Sequence, residues 1–260
     1  MNGKANQVEG GSEDQSIAAQ DLDLGLLVQN SITMRDMAQR KGPSIKTTAE
    51  AVQALKIGNA RFFSGHQLPQ DSSPLKRRAQ IITQTPFAVI LGCSDSRVPT
   101  EIVYDQQPGD LFVIRVAGNV VEASTLGSIE YAIKHLKTRV VVVMGHEGCG
   151  AVQVAMLDRA ARSLEPQYVQ HLLDHIVPSV SALPQIRDPK ARMREAVIAN
   201  IRLQIHQLQQ NLVVKEALQN KEIAVIGAYY EISSGAVDFF ETETELSLDD
   251  REVCGRFLSS

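Results

Sequence analysis

The chain has 260 residues and a formal net charge of −4, and 43% of its residues are hydrophobic. These values are typical of a globular protein with one sizeable core. The acidic balance and the aromatic share of only 5% argue against a nucleic-acid partner, which requires a basic surface and stacking side chains. No apolar run is long enough for a transmembrane helix. Three cysteines are too few for a disulfide framework, so we expect a reducing, cytoplasmic location.

The two ends of the chain differ in composition from the middle. Residues 1–44 are rich in Gly, Ser, Gln and acidic side chains and predict an N-terminal extension, helical in part and flexible or loosely docked. It lacks the basic start and apolar centre of a secretory signal, although an alternative start at Met34 leaves export open. We expect a single folded domain over 45–242 and an acidic tail over 243–260.

Local signals define the first part of that domain. Thr47 and Glu50 have the spacing of a capping box, which predicts a helix beginning there. The helix should end at Gly65, and the proline-rich stretch 66–78 predicts a loop. Apolar positions at helical spacing predict three further helices, over 123–137, 167–184 and 189–219.

Continuous runs of Val, Ile and Leu alternate with these helices. Such runs are typical of strands that are covered on both faces of a sheet, and they are FAVILG (87–92), DLFVIRVAG (110–118), RVVVVMG (139–145) and EIAVIGAYYE (222–231). A turn at SSG (233–235) then predicts a hairpin with AVDFF. The alternation predicts the α/β class: a central, mostly parallel sheet flanked by helices.

Chemically distinctive residues follow two of these strands. Cys93, Asp95 and Arg97 come after the first, and His146 and Cys149 lie on a glycine-rich turn after the third. The carboxyl ends of parallel strands form the usual ligand-binding edge, and two sulfurs with one imidazole suit Zn²⁺ with a fourth position open. A single cysteine at a strand end is more often a packing residue, and a lone His-x-x-Cys motif is weak evidence for a metal site. Together, the two motifs favour a metal.

Other chemistries fit these residues less well. A cysteine phosphatase loop would need arginine where Pro99 stands. The glycines of GHEGCG have the wrong spacing for a dinucleotide fingerprint, and no Walker lysine follows them. A thiol redox pair is usually Cys-x-x-Cys and would not explain His146.

Taken together, CSDSR (93–97) and GHEGCG (145–150) closely resemble the motifs of the β-class carbonic anhydrases. The resemblance runs from about Thr47 to Phe240. It includes GNARF (58–62), QPGDLFVIRVAGN (107–119), GSIEYA (127–132) and AVIGAYYE (224–231).

The resemblance implies a metal site and a substrate pocket. One Zn²⁺ per subunit would be bound by Cys93, His146 and Cys149. Asp95 and Arg97 would orient the zinc-bound water, with Asp95 as a fourth ligand in a closed state. The family's plant-like members have a pocket glutamine that Gln84 matches, and the remaining pocket positions are Phe112, Tyr131 and Ala117.

The implied activity is reversible hydration of CO₂ to bicarbonate and a proton by zinc-hydroxide attack. The implied assembly is a homodimer or a higher even oligomer whose subunits share pocket walls. Two alternatives stay open: hydrolysis of COS or CS₂ on the same scaffold, and a low-activity zinc protein with a structural or docking role. The other histidines are predicted to be surface or packing residues rather than proton relays: His66, His135, His171, His175 and His206.

Overall fold

The computed structural model describes residues 45–70 and 73–241. The predicted extension over 1–44 and the predicted acidic tail over 243–260 lie outside these residues, and so does Cys254. Within the described part of the chain, no helix is long and apolar enough to cross a membrane.

A five-stranded sheet organises the described residues. Its strands are β1 (Ala88–Gly92), β2 (Leu111–Arg115), β3 (Val140–His146), β4 (Ala224–Tyr230) and β5 (Val237–Glu241). The strand order is β2-β1-β3-β4-β5. The first four strands are parallel, and β5 runs antiparallel to β4. The predicted parallel sheet and the predicted hairpin are therefore both confirmed.

Helices cover the sheet. They are α1 (Thr48–Phe63), α2 (Pro74–Gln80), α3 (Thr100–Val103), α4 (Ala123–Tyr131), α5 (Gly150–Ala155), α6 (Arg159–Arg162), α7 (Gln167–Asp174), α8 (Val177–Ser181), α9 (Pro189–Gln210) and α10 (Leu212–Gln219), with a 3₁₀ turn at Ala117–Asn119 and a π-helical turn at Ala132–Leu136. Alternate residues of β1 and β3 enter two separate cores, one containing α9 and the other α1. All residues of both strands are buried, as their continuous apolar runs predicted.

The capping box predicted at the start of α1 is confirmed. Glu50 donates its backbone N–H to Thr47 Oγ1 (3.1 Å), and Glu50 Oε2 accepts the Thr47 N–H (3.1 Å). Further along the helix, the buried Asn59 side chain donates to the carbonyls of Val103 and Gly235. These hydrogen bonds attach α1 to the segments that surround the sheet.

Two of the predicted helices are interrupted. The helix expected over 167–184 ends at Asp174, and α8 begins at Val177 after a two-residue turn. Pro178 explains the break, because its ring would clash with the carbonyl four residues earlier. The helix expected over 189–219 breaks at Asn211, whose backbone is extended (ψ 132°) and whose side chain caps α10. Asparagine favours such caps over helix interiors.

Three further boundaries also differ from the predictions. The loop expected over 66–78 is wrong in its second half, since α2 begins at Pro74; proline is well tolerated as the first helical residue. The strand expected over 110–118 ends at Arg115 because Gly118 adopts a left-handed backbone (φ 68°). The helix expected over 123–137 continues beyond α4 only as the π-helical turn.

Candidate metal centre

The carboxyl ends of β1 and β3 bring three potential metal ligands together. The two strands are neighbours in parallel register, so Cys93, just after β1, lies near His146, the last residue of β3. Cys149 caps the N-terminus of α5. All three side chains are buried, and one donor atom from each lies within 4.8 Å of the other two. We call Cys93, His146 and Cys149 the thiolate cluster.

The two sulfurs of the thiolate cluster are spaced as metal ligands rather than as a disulfide. Cys93 Sγ and Cys149 Sγ are 3.9 Å apart, whereas a disulfide needs about 2.05 Å. Two sulfurs bound to tetrahedral zinc at about 2.3 Å would be roughly 3.8 Å apart. The observed sulfur–sulfur spacing therefore fits two thiolates bound to one zinc ion.

The imidazole of His146 is oriented by a backbone carbonyl. Its Nδ1 lies 3.0 Å from the Glu147 oxygen, and because a carbonyl can only accept, Nδ1 must donate. Nε2 then carries a lone pair. Within the described residues this buried nitrogen has no hydrogen-bond partner, which is costly unless a ligand satisfies it. A metal ion at the cluster would do so.

Local hydrogen bonds favour negative charge on the sulfur of Cys93. The Cys149 thiol donates to it and lowers the pKa of Cys93, and the Gly118 N–H points at the same sulfur (3.4 Å). The Cys93 sulfur and burial in turn raise the pKa of Cys149. The metal-free pair therefore retains one proton, and a divalent cation would supply the charge that lets both thiols ionise.

Two buried amides of α9 hold the turn that contains Gly118. Asn200 Nδ2 donates to the Gly118 carbonyl (2.9 Å), and Gln204 Nε2 donates to Asn200 Oδ1 (2.9 Å). A Cβ on Gly118 would lie 2.5 Å from Ile176 Cδ1. This position therefore requires glycine for its backbone conformation and also for the space around it.

Asp95 and Arg97 form a bidentate ion pair beside the thiolate cluster. Arg97 Nε and Nη2 donate to Asp95 Oδ1 (3.0 Å) and Oδ2 (2.8 Å). These hydrogen bonds hold the pKa of Asp95 well below its usual range, so the carboxylate is ionised at neutral pH. Asp95 Oδ2 is 3.9 Å from His146 Nε2, which places the carboxylate next to the cluster.

Arg115 also supports this loop, and sequence reasoning missed it. Its Nε donates to the Cys93 carbonyl (3.1 Å) and its Nη2 to the Asp95 carbonyl (2.5 Å). Arg115 ends β2 opposite Gly92, so the signal in the sequence was a basic residue at the end of an apolar strand. Its role depends on the strand order, which the sequence did not specify.

Of the predicted pocket residues, Phe112 lies near the start of β2, away from the strand ends that carry the thiolate cluster. The rings of Phe112 and Tyr131 lie 6.2 Å apart, and Ala117 directly precedes Gly118. Gln84 is exposed in the segment after α2. In the described part of the chain its side chain makes no hydrogen bond to the thiolate cluster, so its pocket role stays a prediction.

Comparisons with known proteins agree with this fold and with the family that the two motifs predicted. The carbonic anhydrase family model matches residues 88–237. The carbonic anhydrase of Mycolicibacterium smegmatis is 36% identical over 194 residues, covering 72% of this chain and 91% of the relative. Carbonic anhydrase 2 of Mycobacterium tuberculosis is 37% identical over 186 residues, covering 71% and 89%.

Solved structures agree as well. One of two tetrameric β-carbonic anhydrases from Sordaria macrospora superposes with a TM-score of 0.58 at 28% identity, covering 73% of this chain and 95% of that one. The β-carbonic anhydrase CcaA gives a TM-score of 0.58 at 26% identity, covering 73% and 95%. The chain therefore belongs to the β-class carbonic anhydrase family and is an enzyme of that family, as the two motifs predicted.

Proposed function

We propose that the protein catalyses the reversible hydration of CO₂ to bicarbonate and a proton, with one zinc ion per chain held by the thiolate cluster. The observation that carries the proposal is the geometry of that cluster. Its sulfurs are 3.9 Å apart, and the buried Nε2 of His146 lacks a partner in the described residues. An ionised carboxylate lies beside it.

The ligands and the metal have complementary tasks. When bound, Zn²⁺ lowers the pKa of a coordinated water, so that a hydroxide nucleophile is available near neutral pH. Cys93 and Cys149 bind as thiolates and balance the charge of the ion, while the Glu147 carbonyl keeps His146 in the tautomer that can ligate. With only these three protein ligands, a bound zinc ion would have a position open for water, as catalytic zinc sites require.

Asp95 orients the attacking water, and Arg97 positions Asp95. The carboxylate stays ionised and can accept a hydrogen bond from the water's O–H, which directs an oxygen lone pair towards carbon. Both carboxylate oxygens are engaged by Arg97, and this pair would keep Asp95 from ligating a metal ion in the thiolate cluster. We therefore propose that the arrangement corresponds to an open site. Arg115 stabilises the same loop by donating hydrogen bonds to the carbonyls of Cys93 and Asp95.

We also propose that CO₂ binds against Phe112, Tyr131 and Ala117, and that Gln84 donates to a substrate oxygen from a neighbouring subunit. An apolar, linear substrate suits aromatic and aliphatic walls. Tyr131 is 46% exposed, as expected for a pocket wall that a second copy of the chain completes.

A homo-oligomer is further supported by the tetrameric relative and by an open apolar groove between α1 and β5, lined by Phe63 and Phe239. The small number of cysteines fits a reducing, cytoplasmic location.

The variant Asp95→Asn tests the proposed chemistry. It keeps the size of the side chain and removes its charge, so we expect zinc content to be unchanged and CO₂ hydration, measured by stopped flow, to fall about 10²- to 10⁴-fold. Ser96→Ala, at the exposed neighbouring position, is the matched control and should remain active. Full activity of Asp95→Asn would remove Asp95 from the mechanism, and loss of zinc would make it a ligand instead.

A further inference from the structure

A second group of potential metal ligands lies apart from the thiolate cluster. Glu122, His171 and His175 each place one donor atom within 4.8 Å of the other two. We call these three residues the imidazole–carboxylate group. Its donors are nitrogen and oxygen without sulfur, and it is partly exposed: His171 is exposed, and the other two side chains are half-buried.

The helix α7 aligns the two imidazoles. His171 lies in its last turn and His175 is its C-cap residue. Residues four apart lie on the same helix face, and the two rings meet edge to face with centroids 5.2 Å apart. A pair of histidines at this spacing on a helix can bind one metal ion from the same side.

The carboxylate of Glu122 is held at the start of α4. The Glu122 N–H donates to Thr125 Oγ1 (2.9 Å), and Glu122 Oε1 accepts from Ser124 Oγ (2.8 Å). Glu122 also forms a capping box with Thr125. The side chain is therefore positioned, and because an ionised carboxylate can accept about four hydrogen bonds, it keeps lone pairs for a metal ion.

A single buried side chain connects the two halves of the group. Gln204 Oε1 accepts the N–H of Val121, the residue before Glu122 (2.7 Å). Gln204 Nε2 donates to the carbonyl of His175 (3.0 Å). Gln204 is completely buried, so the relative position of Glu122 and His175 is fixed by the core rather than by surface contacts.

Few contacts within the described part of the chain compete with a metal ion for these donors. Among the described residues, neither imidazole has a side-chain hydrogen bond and Glu122 has no cationic partner. Two imidazoles and one carboxylate are ligands that Zn²⁺, Co²⁺ and Ni²⁺ accept. Donor atoms around a tetrahedral ion are roughly 3.4 Å apart for bonds of about 2.1 Å, so small side-chain rotations would close the group around an ion.

We propose that the imidazole–carboxylate group is a second, exchangeable binding site for a divalent transition-metal ion. Its partial exposure lets the ion exchange with solvent. A bound ion ties the start of α4 to the end of α7. Ile176, which follows His175, contacts Gly118, so the ion also braces the turn whose N–H points at Cys93.

A cobalt titration tests this proposal. The full chain, with zinc in the thiolate cluster and weakly bound metal removed by brief chelation, is titrated with Co²⁺. We expect one further ion per chain, with visible d–d absorption and no thiolate-to-cobalt charge-transfer band, and a rise in Tm with Co²⁺ concentration. The double variant His171→Ala/His175→Ala should lose both the ion and the Tm rise.

Matched variants make the titration specific. His66→Ala removes an exposed histidine outside the group and should bind the additional ion like the wild type. Glu122→Gln, which leaves both histidines in place, should weaken Co²⁺ binding roughly tenfold or more. No additional ion in the wild type, or equal binding in the double variant, would overturn the proposal.

The proposed function can fail separately from the second site. CO₂ hydration and cobalt stoichiometry are measured on the same samples. Absent hydration together with histidine-dependent cobalt binding would contradict the proposed function alone. Normal hydration together with histidine-independent cobalt binding would contradict the second site alone.

Discussion

The thiolate cluster and the imidazole–carboxylate group both combine three donors, but burial separates their expected behaviour. The donors of the first are enclosed at the ends of two central strands. An unpaired buried nitrogen such as His146 Nε2 destabilises the metal-free protein, so the folded chain favours a bound metal. The donors of the second lie at helix ends and can be hydrated. Both sites have three ligands, but because only the first is buried, we expect it to retain its ion and the second to exchange its ion with solvent.

The largest effect should come from breaking the thiolate cluster. Cys149→Ser replaces a thiolate by a neutral hydroxyl, which is a poor zinc ligand. We expect the tightly held zinc to be lost and CO₂ hydration to fall to background, while cobalt binding at the imidazole–carboxylate group persists. Metal analysis after chelation measures the first effect, with Cys254→Ser as the matched cysteine control. A full zinc content in Cys149→Ser would show that our ligand set is wrong.

An intermediate effect should come from the turn behind Cys93. Gly118→Ala places a Cβ against Ile176 at a left-handed backbone position, and we expect a loss of about 1–3 kcal/mol of stability. Zinc should also leave faster, because the Gly118 N–H no longer faces the sulfur correctly.

Urea unfolding and the rate of zinc loss to a chelator measure the two consequences of Gly118→Ala. Gly127→Ala is the control: a Cβ there has open space within α4, and alanine should stabilise that helix slightly. Equal destabilisation by both substitutions would contradict the structural role of Gly118.

The smallest effect should be the contribution of the Asp95–Arg97 ion pair to the stability of the fold, which depends on pH. Arg97 lowers the folded pKa of Asp95 below its ordinary value of 3.8. The pair therefore stabilises the folded protein at pH values above this ordinary pKa. The stabilisation is lost as the pH falls towards the lower pKa of the folded state. Because 57% of the Arg97 side chain is exposed, water and salt reduce the contribution.

Arg97→Gln is the variant that measures this contribution. Its urea midpoint should fall below that of the wild type at neutral pH, and the difference should narrow as the pH drops below the ordinary pKa of aspartate. Arg97→Lys keeps a positive charge without the bidentate geometry, so its urea midpoint should lie between those of the wild type and Arg97→Gln. A difference that widens in acid would contradict the predicted sign of the pH dependence.

The sequence predicted the parallel sheet and the position of the thiolate cluster because both follow from local patterns. Buried Val and Ile runs mark the central strands, and parallel strands bring Cys93 and His146 to one edge. Pro178 was a visible signal for the end of a helix, but the apolar spacing on both sides of it favoured one continuous helix. Asn211 interrupts a similar pattern for a reason that only its cap geometry reveals.

Contacts between distant segments could not be predicted in the same way. Arg115 reaches the Cys93 loop only because β2 pairs with β1. The two amides that hold the Gly118 turn come from α9, far along the chain. His171 and His175 were predicted only as surface or packing residues, and the sequence could not place Glu122 beside them. These contacts depend on how helices pack, and apolar periodicity reports only which face is buried.

The central claim is that a zinc ion in the thiolate cluster carries CO₂ hydration. The most direct test measures tightly bound zinc and stopped-flow CO₂ hydration on one wild-type sample freed of exchangeable metal, over about pH 7 to 9. We predict about one zinc per chain and fast hydration that is lost when this zinc is removed and returns when it is restored. One tightly bound zinc per chain with no hydration at any of these pH values, or full hydration without zinc, would contradict the claim.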